Sequence, residues 1–406
     1  MSCSLQLPHS PQFSRRGFFR IAAGASALAS FPIMTESLLA QSSAVKFAGS
    51  DVGVHIDANE NPLGPSEAAR KAIVEILPRS GRYLFDHQSD LKDLFAKQAG
   101  IDPDFVEFYP GSSEPLHQVV LSYTDKQHPV VVADPGYEAP LWAAKVSGAE
   151  GIKVPLADPK GAATHDVKAM LAASATPGVI YICNPNNPTG TITPREQIEY
   201  AVAHAPKETV IMVDEAYIHL SPNAQSCIDL VKAGHNVVVL RTFSKLYGMA
   251  GLRLGIIVAN PEIQKKVVSL AGMDSLPVTA VAAGVASLLD KDLVPVRRKI
   301  IADVRTETVD WLKQKGYKCT PSESNCFMLD MGKPADPTRQ ALAAREIFVG
   351  REWSAWPNYI RISVGSAAEM AAFRKAFADV TSKMSAGLLP DYAAPRAPKY
   401  PARMLS

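Results

Sequence analysis

Lys245 places a single ammonium group directly after an apolar run, NVVVL (236–240), and Arg253 follows eight positions later in TFSKLYGMAGLRLG. A buried, unpaired ammonium is costly, so a lysine in this setting is neutralised, paired or used covalently. Other apolar runs also end in polar groups. VVVADP (130–135) leads to Gly136 and Tyr137, VIYICNP (179–185) to Asn186, Asn187 and Gly190, and VIMVD (210–214) closes on Asp214 with Tyr217 just beyond. YPGSSEPLHQVV (109–120) puts a Gly-Ser-Ser turn, with Ser112 and Ser113, at the start of a helix with Pro115 early in it, where free N–H groups attract an anion. Each group has a matching chemistry. A lysine amine condenses with an aldehyde. A carboxylate beside a pyridine nitrogen keeps that nitrogen protonated and makes the ring an electron sink. A phenol and an amide can bond a ring oxygen, and an aromatic ring can stack on the pyridine. Together they suit a ligand carrying an aldehyde, a ring nitrogen and a phosphate.

These groups can meet only if the runs become neighbouring strands. Continuous Val/Ile runs without alternation indicate strands buried on both faces, and the helical stretches between them indicate an α/β domain with a mostly parallel sheet. Sites in such sheets form at the carboxyl ends of the strands. RLGIIVAN (253–260) follows 236–245 too closely for a helical crossover, so it is expected to pair antiparallel or to lie elsewhere in the sheet. After about residue 290 the texture changes to a long charged-and-apolar helix ended by Gly316, the short strands CFMLDM, EIFVGREW and YIRISVG, and a last helix. This reads as a smaller α+β domain, expected over 291–384. Residues 41–75, with Ser66 as a helix N-cap, are expected to join it, and 76–290 form the large domain. The tail 385–406, with four prolines, is expected to be extended.

Residues 1–40 read differently. SRRGFFR (14–20) and the small, apolar run IAAGASALASFPIM have the order of an export signal, and the paired arginines followed by phenylalanine resemble the twin-arginine type. Cleavage near Ala40, passage through the twin-arginine translocase and a periplasmic or otherwise exported location follow as expectations. This segment holds Arg15, Arg16 and Arg20 against Glu36. Subtracting it from the 42 basic and 40 acidic residues of the chain leaves 39 of each, so no basic field for nucleic acid is implied. No zinc-ligand spacing is visible. Cys183 reads as a small core residue, while Cys319 and Cys326 are close enough in sequence to pair.

The motifs ANENPLGPS, RY at 82–83, GSSE, NPNNPTG, VDEAY, TFSKLYGMAGLRLG and YIRISVG, in this order over about residues 51–380, resemble the fold-type I, pyridoxal-phosphate-dependent aminotransferases, and within them the histidinol-phosphate aminotransferase branch. The resemblance implies a seven-stranded, mostly parallel sheet sandwiched by helices plus a smaller α+β domain. It implies pyridoxal 5′-phosphate as cofactor and ping-pong exchange of an amino group between an amino acid, or a related amine such as histidinol phosphate, and a 2-keto acid. Lys245 would be the lysine that bonds the cofactor and Asp214 the partner of its ring nitrogen. Asn187 and Tyr217 would bond the 3′-oxygen, and Tyr137 would stack on the ring. Ser112, Ser113, Thr242, Ser244 and Arg253 would hold the phosphate. Tyr83 would reach the phosphate from a neighbouring subunit, which implies a homodimer with shared active sites. Arg361, Arg351 and Asn59 would contact substrate. Strand alternation puts Arg361 on one face with Tyr359 and Ser363.

Structural readings compete at some positions. Asn187 can shape the NPNNPTG turn, Tyr137 can be a packed loop aromatic, and Arg253 can be a structural ion-pair residue. His117 and His219 are read as helix and loop residues. RYLFDHQ departs from the usual RYPD of the family, and Arg351 stands one position beyond the usual arginine. Another pyridoxal-phosphate reaction (decarboxylation, racemisation or oxidation) uses the same ring contacts. A non-catalytic scaffold predicts loss of Lys245 or Asp214, and both are present.

Overall fold

The Val/Ile runs form the centre of a seven-stranded sheet. In the computed structural model the described residues are 33–36, 39, 53–271 and 275–386, all within one contact unit, Ile33–Ala397. Most of the segment expected to be a signal, and the tail beyond residue 386, lie outside them. In chain order the strands are β1 (Val54–Ile56), β2 (Val106–Tyr109), β3 (Val130–Asp134), β4 (Gly151–Pro155), β5 (Val179–Cys183) and β6 (Val210–Asp214). They continue with β7 (Val237–Thr242), β8 (Gly255–Val258), β9 (Lys318–Cys319), β10 (Cys326–Asp330), β11 (Ile347–Val349) and β12 (Tyr359–Ser363).

The large sheet has the order β2-β8-β7-β6-β5-β3-β4. Pairs β3–β4, β3–β5, β5–β6 and β6–β7 are parallel, and β8 runs antiparallel to both β7 and β2. β5 and β6 are buried at every position, as continuous apolar runs require when helices cover both faces. The α/β architecture is the one expected, and of the two alternatives for RLGIIVAN the antiparallel one holds.

Two small sheets complete the fold. β12-β10-β9 is antiparallel, with Arg361 opposite Met328. β1 and β11 pair parallel, Val54 with Ile347, which brings the start of the described main segment beside a strand near its end. Ser66 caps the helix Glu67–Ile76 by accepting from the Ala69 N–H, and that helix packs on the helix Val278–Leu289. The helix Leu293–Gln314 ends before Gly316, whose φ of +85° suits a residue without a Cβ. Cys319 and Cys326 are both free thiols. Cys319 lies opposite Leu329, three residues along the strand from Cys326.

Candidate active site

Because β2, β3, β5, β6 and β7 run the same way and β8 runs against them, the carboxyl ends of five strands and the amino end of β8 meet at one sheet edge. A cavity of about 320 Å³ opens there. Ser112, Ser113, Tyr137, Asn187, Asp214, Tyr217, Thr242, Ser244, Lys245 and Arg253 all line it, so the groups read from separate strand ends do converge.

Lys245 is 8% exposed, and its Nζ donates to the Asn59 carbonyl at 3.0 Å. The Tyr217 ring centroid lies 5.5 Å from that nitrogen. Burial lowers the Lys245 pKa and the neighbouring Arg361 adds to this, while Glu36 opposes it. The net direction favours a neutral amine, the form that acts as nucleophile or base. Asp214 is held by the Tyr181 hydroxyl, which donates to Oδ2 at 2.7 Å, and by the Ala216 N–H, which donates to Oδ1 at 3.0 Å. Burial raises its carboxyl to about 6 against the pull of those two donors and of Lys245. Burial likewise pushes the Tyr217 and Tyr137 phenols upward.

One end of the cavity is an anion cradle. Ser113 starts the helix Ser113–Tyr123, and the Ser112 side chain does not cap it, so the first N–H groups face an end without a local acceptor from that residue. The Ser244 N–H donates to Thr242 Oγ1 at 3.1 Å. Arg253 bonds the Ala250 carbonyl at 2.8 Å and lies against the Gly-Ser-Ser turn. The turn is tight. A Cβ on Gly111, whose φ is +94°, would stand 2.0 Å from Arg253 Nη2, and one on Gly255 would stand 2.3 Å from the Ser112 nitrogen. Glycine is required at both places for the guanidinium and the backbone amides to approach each other.

Arg361, Arg351 and Asn59 are not among the lining residues; Arg361 lies fully buried on β12, behind the lining residues Glu36 and Asn187. Its Nη1 donates to Asn187 Oδ1 at 3.0 Å and to Glu36 Oε1 at 2.5 Å, and its Nη2 donates to the Asp57 carbonyl. Ser363, two residues on and on the same face as expected, donates to Asn59 Oδ1 at 2.8 Å. Asn59 is fully buried and its amide donates to the Tyr217 hydroxyl at 3.1 Å. Arg351 is held outside the lining by Glu138. Both terminal nitrogens pair with Glu138, Nη1 to Oε1 at 2.8 Å, and its guanidinium lies 3.8 Å from the Trp353 ring centroid. Tyr83 is not in the cavity. It is 68% exposed and stacks on Phe85 at 5.5 Å.

Several participants were not singled out from the sequence, although Asn61 lies within ANENPLGPS. Tyr181 orients Asp214, and its signal was available: a phenol in a strand buried on both faces must find a hydrogen-bond partner. The Asn61 amide straps the lysine loop through the Lys245 and Leu246 carbonyls, at 3.1 and 2.8 Å, and Asn325 bonds the Asn59 carbonyl at 3.0 Å. Glu36 and Glu138, which complete the arginine wall, carry no motif. His117 is structural here: the Met34 N–H donates to Nε2 at 3.1 Å and the ring faces the Ser113 carbonyl at 2.8 Å, which fixes the proton on Nδ1. His219 packs edge-on to Tyr247, and burial lowers its pKa to about 3.

Comparison with known proteins places the chain beside transaminases. The sequence profile of the family described as aminotransferase class I and II matches residues 52–377. An aromatic amino acid aminotransferase of Cutibacterium acnes is 33% identical over 319 residues, covering 78% of this chain and 89% of the relative. A histidinol-phosphate aminotransferase of Symbiobacterium thermophilum is 33% identical over 322 residues, covering 78% and 88%. Among solved structures, histidinol-phosphate aminotransferase from Sinorhizobium meliloti in complex with pyridoxal-5′-phosphate superposes with a TM-score of 0.77 at 27% identity, covering 88% of this chain and 97% of that one.

Proposed function

Since the chain belongs to the class I and II aminotransferases, enzymes that depend on pyridoxal phosphate, we propose which of its residues hold that cofactor, which hold substrate, and which substrates it takes. The donor set fits the cofactor. An arginine, a helix start and a cradle that a Cβ would fill supply an anion site at one end, and a buried carboxylate and a buried amine line the same cavity. Ser112, Ser113, Thr242, Ser244 and Arg253 would hold the phosphate, Asp214 the ring nitrogen, Asn187 and Tyr217 the 3′-oxygen, and Tyr137 the ring face. When bound, pyridoxal phosphate supplies an aldehyde that captures the substrate amine and a ring that spreads the electron pair left when the α-carbon loses its proton.

The chain's own part is proton handling and orientation. Lys245, buried and shifted toward its neutral form, takes the proton from the substrate α-carbon. Asp214, kept ionised against burial by Tyr181 and the Ala216 N–H, presents a negative charge at a fixed point. Arg361 and Asn187 hold the substrate carboxylate, and the fully buried position of Arg361 makes that grip strong.

The observation that carries the substrate reading is the Arg351–Glu138 pair. Both terminal nitrogens of Arg351 are paired with Glu138 and Trp353 lies beneath it, so a substrate phosphate would have to displace that carboxylate. This disfavours a phosphate-bearing donor, and amino acids with aromatic side chains are the donors that the name of the Cutibacterium relative suggests. Steady-state assays with phenylalanine, tyrosine, tryptophan, histidine and histidinol phosphate against 2-oxoglutarate test this. The expected result is the highest kcat/KM for an aromatic amino acid, and a higher value for histidinol phosphate would overturn it.

Assembly and location complete the reading. Tyr83, Phe85, Val74 and Leu77 are exposed, and such an apolar surface supports a homodimer in which Tyr83 serves the neighbouring site. Sedimentation at micromolar concentration should give twice the chain mass. SRRGFFR supports export by the twin-arginine route to the periplasm. Replacing Arg15 and Arg16 by lysine should retain the protein in the cytoplasmic fraction.

A further inference from the structure

Glu36 has no role in the chemistry above, yet it occupies the place of a ligand. Each of its carboxylate oxygens has a donor: Oε1 accepts from Arg361 Nη1 at 2.5 Å and Oε2 from Asn187 Nδ2 at 3.0 Å. The same two side chains form the proposed grip on the substrate carboxylate. Glu36 is 9% exposed, and Thr35 and Glu36 line the same cavity as Lys245. The segment is moored beside them by backbone contacts, the Met34 N–H to His117 and the Tyr137 hydroxyl to the Met34 carbonyl at 3.4 Å.

A fully buried guanidinium needs a partner anion, because a lone charge in the interior is strongly unfavourable. A substrate carboxylate entering the grip brings a second negative charge to a site that already holds one, and two like charges in a low dielectric repel. One of them must leave. We infer that Glu36 is an affinity-determining residue that competes from within the chain for the substrate-carboxylate grip of Arg361 and Asn187 and is displaced when substrate binds. The inference rests on the reading of Arg361 as the substrate clamp. A segment docked about nine-tenths of the time weakens apparent affinity about tenfold, since only the undocked fraction is competent to bind. Because Glu36 lies within the expected signal, cleavage near Ala40 would remove it and leave the higher-affinity form.

The test uses the full chain loaded with pyridoxal phosphate and 3-phenylpropionate, a carboxylate without an amine that cannot be turned over. Calorimetry should give a dissociation constant about tenfold lower for Glu36→Gln, which keeps the size of the side chain while removing its charge and one of its two acceptor oxygens. An unchanged or higher constant overturns the inference. On the unaltered chain, a protease that cuts after glutamate should cleave the Glu36–Ser37 bond several-fold faster when the probe is saturating, and an unchanged or slower rate overturns it without any substitution. Arg361→Ala separates the two layers. If it loses the probe while Glu36→Gln binds no tighter, the clamp stands and the competitor falls. If it binds the probe as the unaltered chain does, the clamp reading fails and the competitor fails with it.

Discussion

The two ends of the cavity are built in different ways. The strand-end side draws Ser112, Asp214, Thr242 and Lys245 from the carboxyl ends of strands in one sheet, the last three each within a few residues of a buried Val/Ile run. The arginine side draws Arg361 from a separate antiparallel sheet, Asn59 from the loop after β1, and Glu36 from a segment 325 residues away from its arginine. At the first end a single sheet sets all relative positions at once. At the second, charges from distant segments meet, with Arg361 on a paired strand and its partner Glu36 on a separate segment. The difference suggests fixed chemistry at one end and adjustable recognition at the other.

Breaking the rigid end should cost most. Lys245→Ala should lower kcat by about 10⁴-fold or more, since nucleophile and base are lost together. Turnover assays beside the cofactor's visible absorbance would show cofactor retained without activity, and near-normal turnover would remove Lys245 from the chemistry. Asp214→Asn should lower kcat by about 10²–10³-fold, the scale of losing one preorganised charge, with the far-ultraviolet circular dichroism of the fold retained.

At the adjustable end, Arg361→Ala should raise KM for amino-acid donors by roughly 10–100-fold and change kcat less, in keeping with loss of charge-assisted hydrogen bonds. An equal fall in kcat with unchanged KM would place Arg361 in the rigid end instead. The finest probe is the support behind Asp214. Its carboxyl sits at about 6, so the ionised form is lost as pH falls through that value, and affinity for pyridoxal phosphate should fall below about pH 6. Tyr181→Phe removes a donor that favours the ionised form. The midpoint of that loss should therefore move to higher pH, by about one unit or less for a single hydrogen bond. Titrations of the two proteins with pyridoxal phosphate at several pH values would show it, and a shift to lower pH would contradict the assigned donor direction.

The convergence of the strand ends on one cavity was legible in the sequence for a physical reason. A strand buried on both faces needs continuous apolar residues, so its end is marked by the first polar groups, and parallel packing brings those ends together. Ser66 as an N-cap and Gly316 after the long helix were readable in the same local way. Tyr181 was readable in principle from its hydroxyl in an otherwise apolar strand. The other wall was not. Arg361 and Ser363 could be placed on one strand face, but nothing near them in the chain points to Glu36 or Asn187. Arg351 was visible only as an arginine, and its pairing with Glu138, 213 residues away, changes what it can bind.

The sequence by itself determined the chemistry of this protein: an amine, a carboxylate and an anion cradle at strand ends, because local patterns of burial and turn formation specify them. Tertiary structure alone decided which carboxylates sit on the two arginines, how β1 meets β11 and where β8 inserts between β7 and β2. Ion pairs between distant segments depend on position in space and leave no periodicity along the chain.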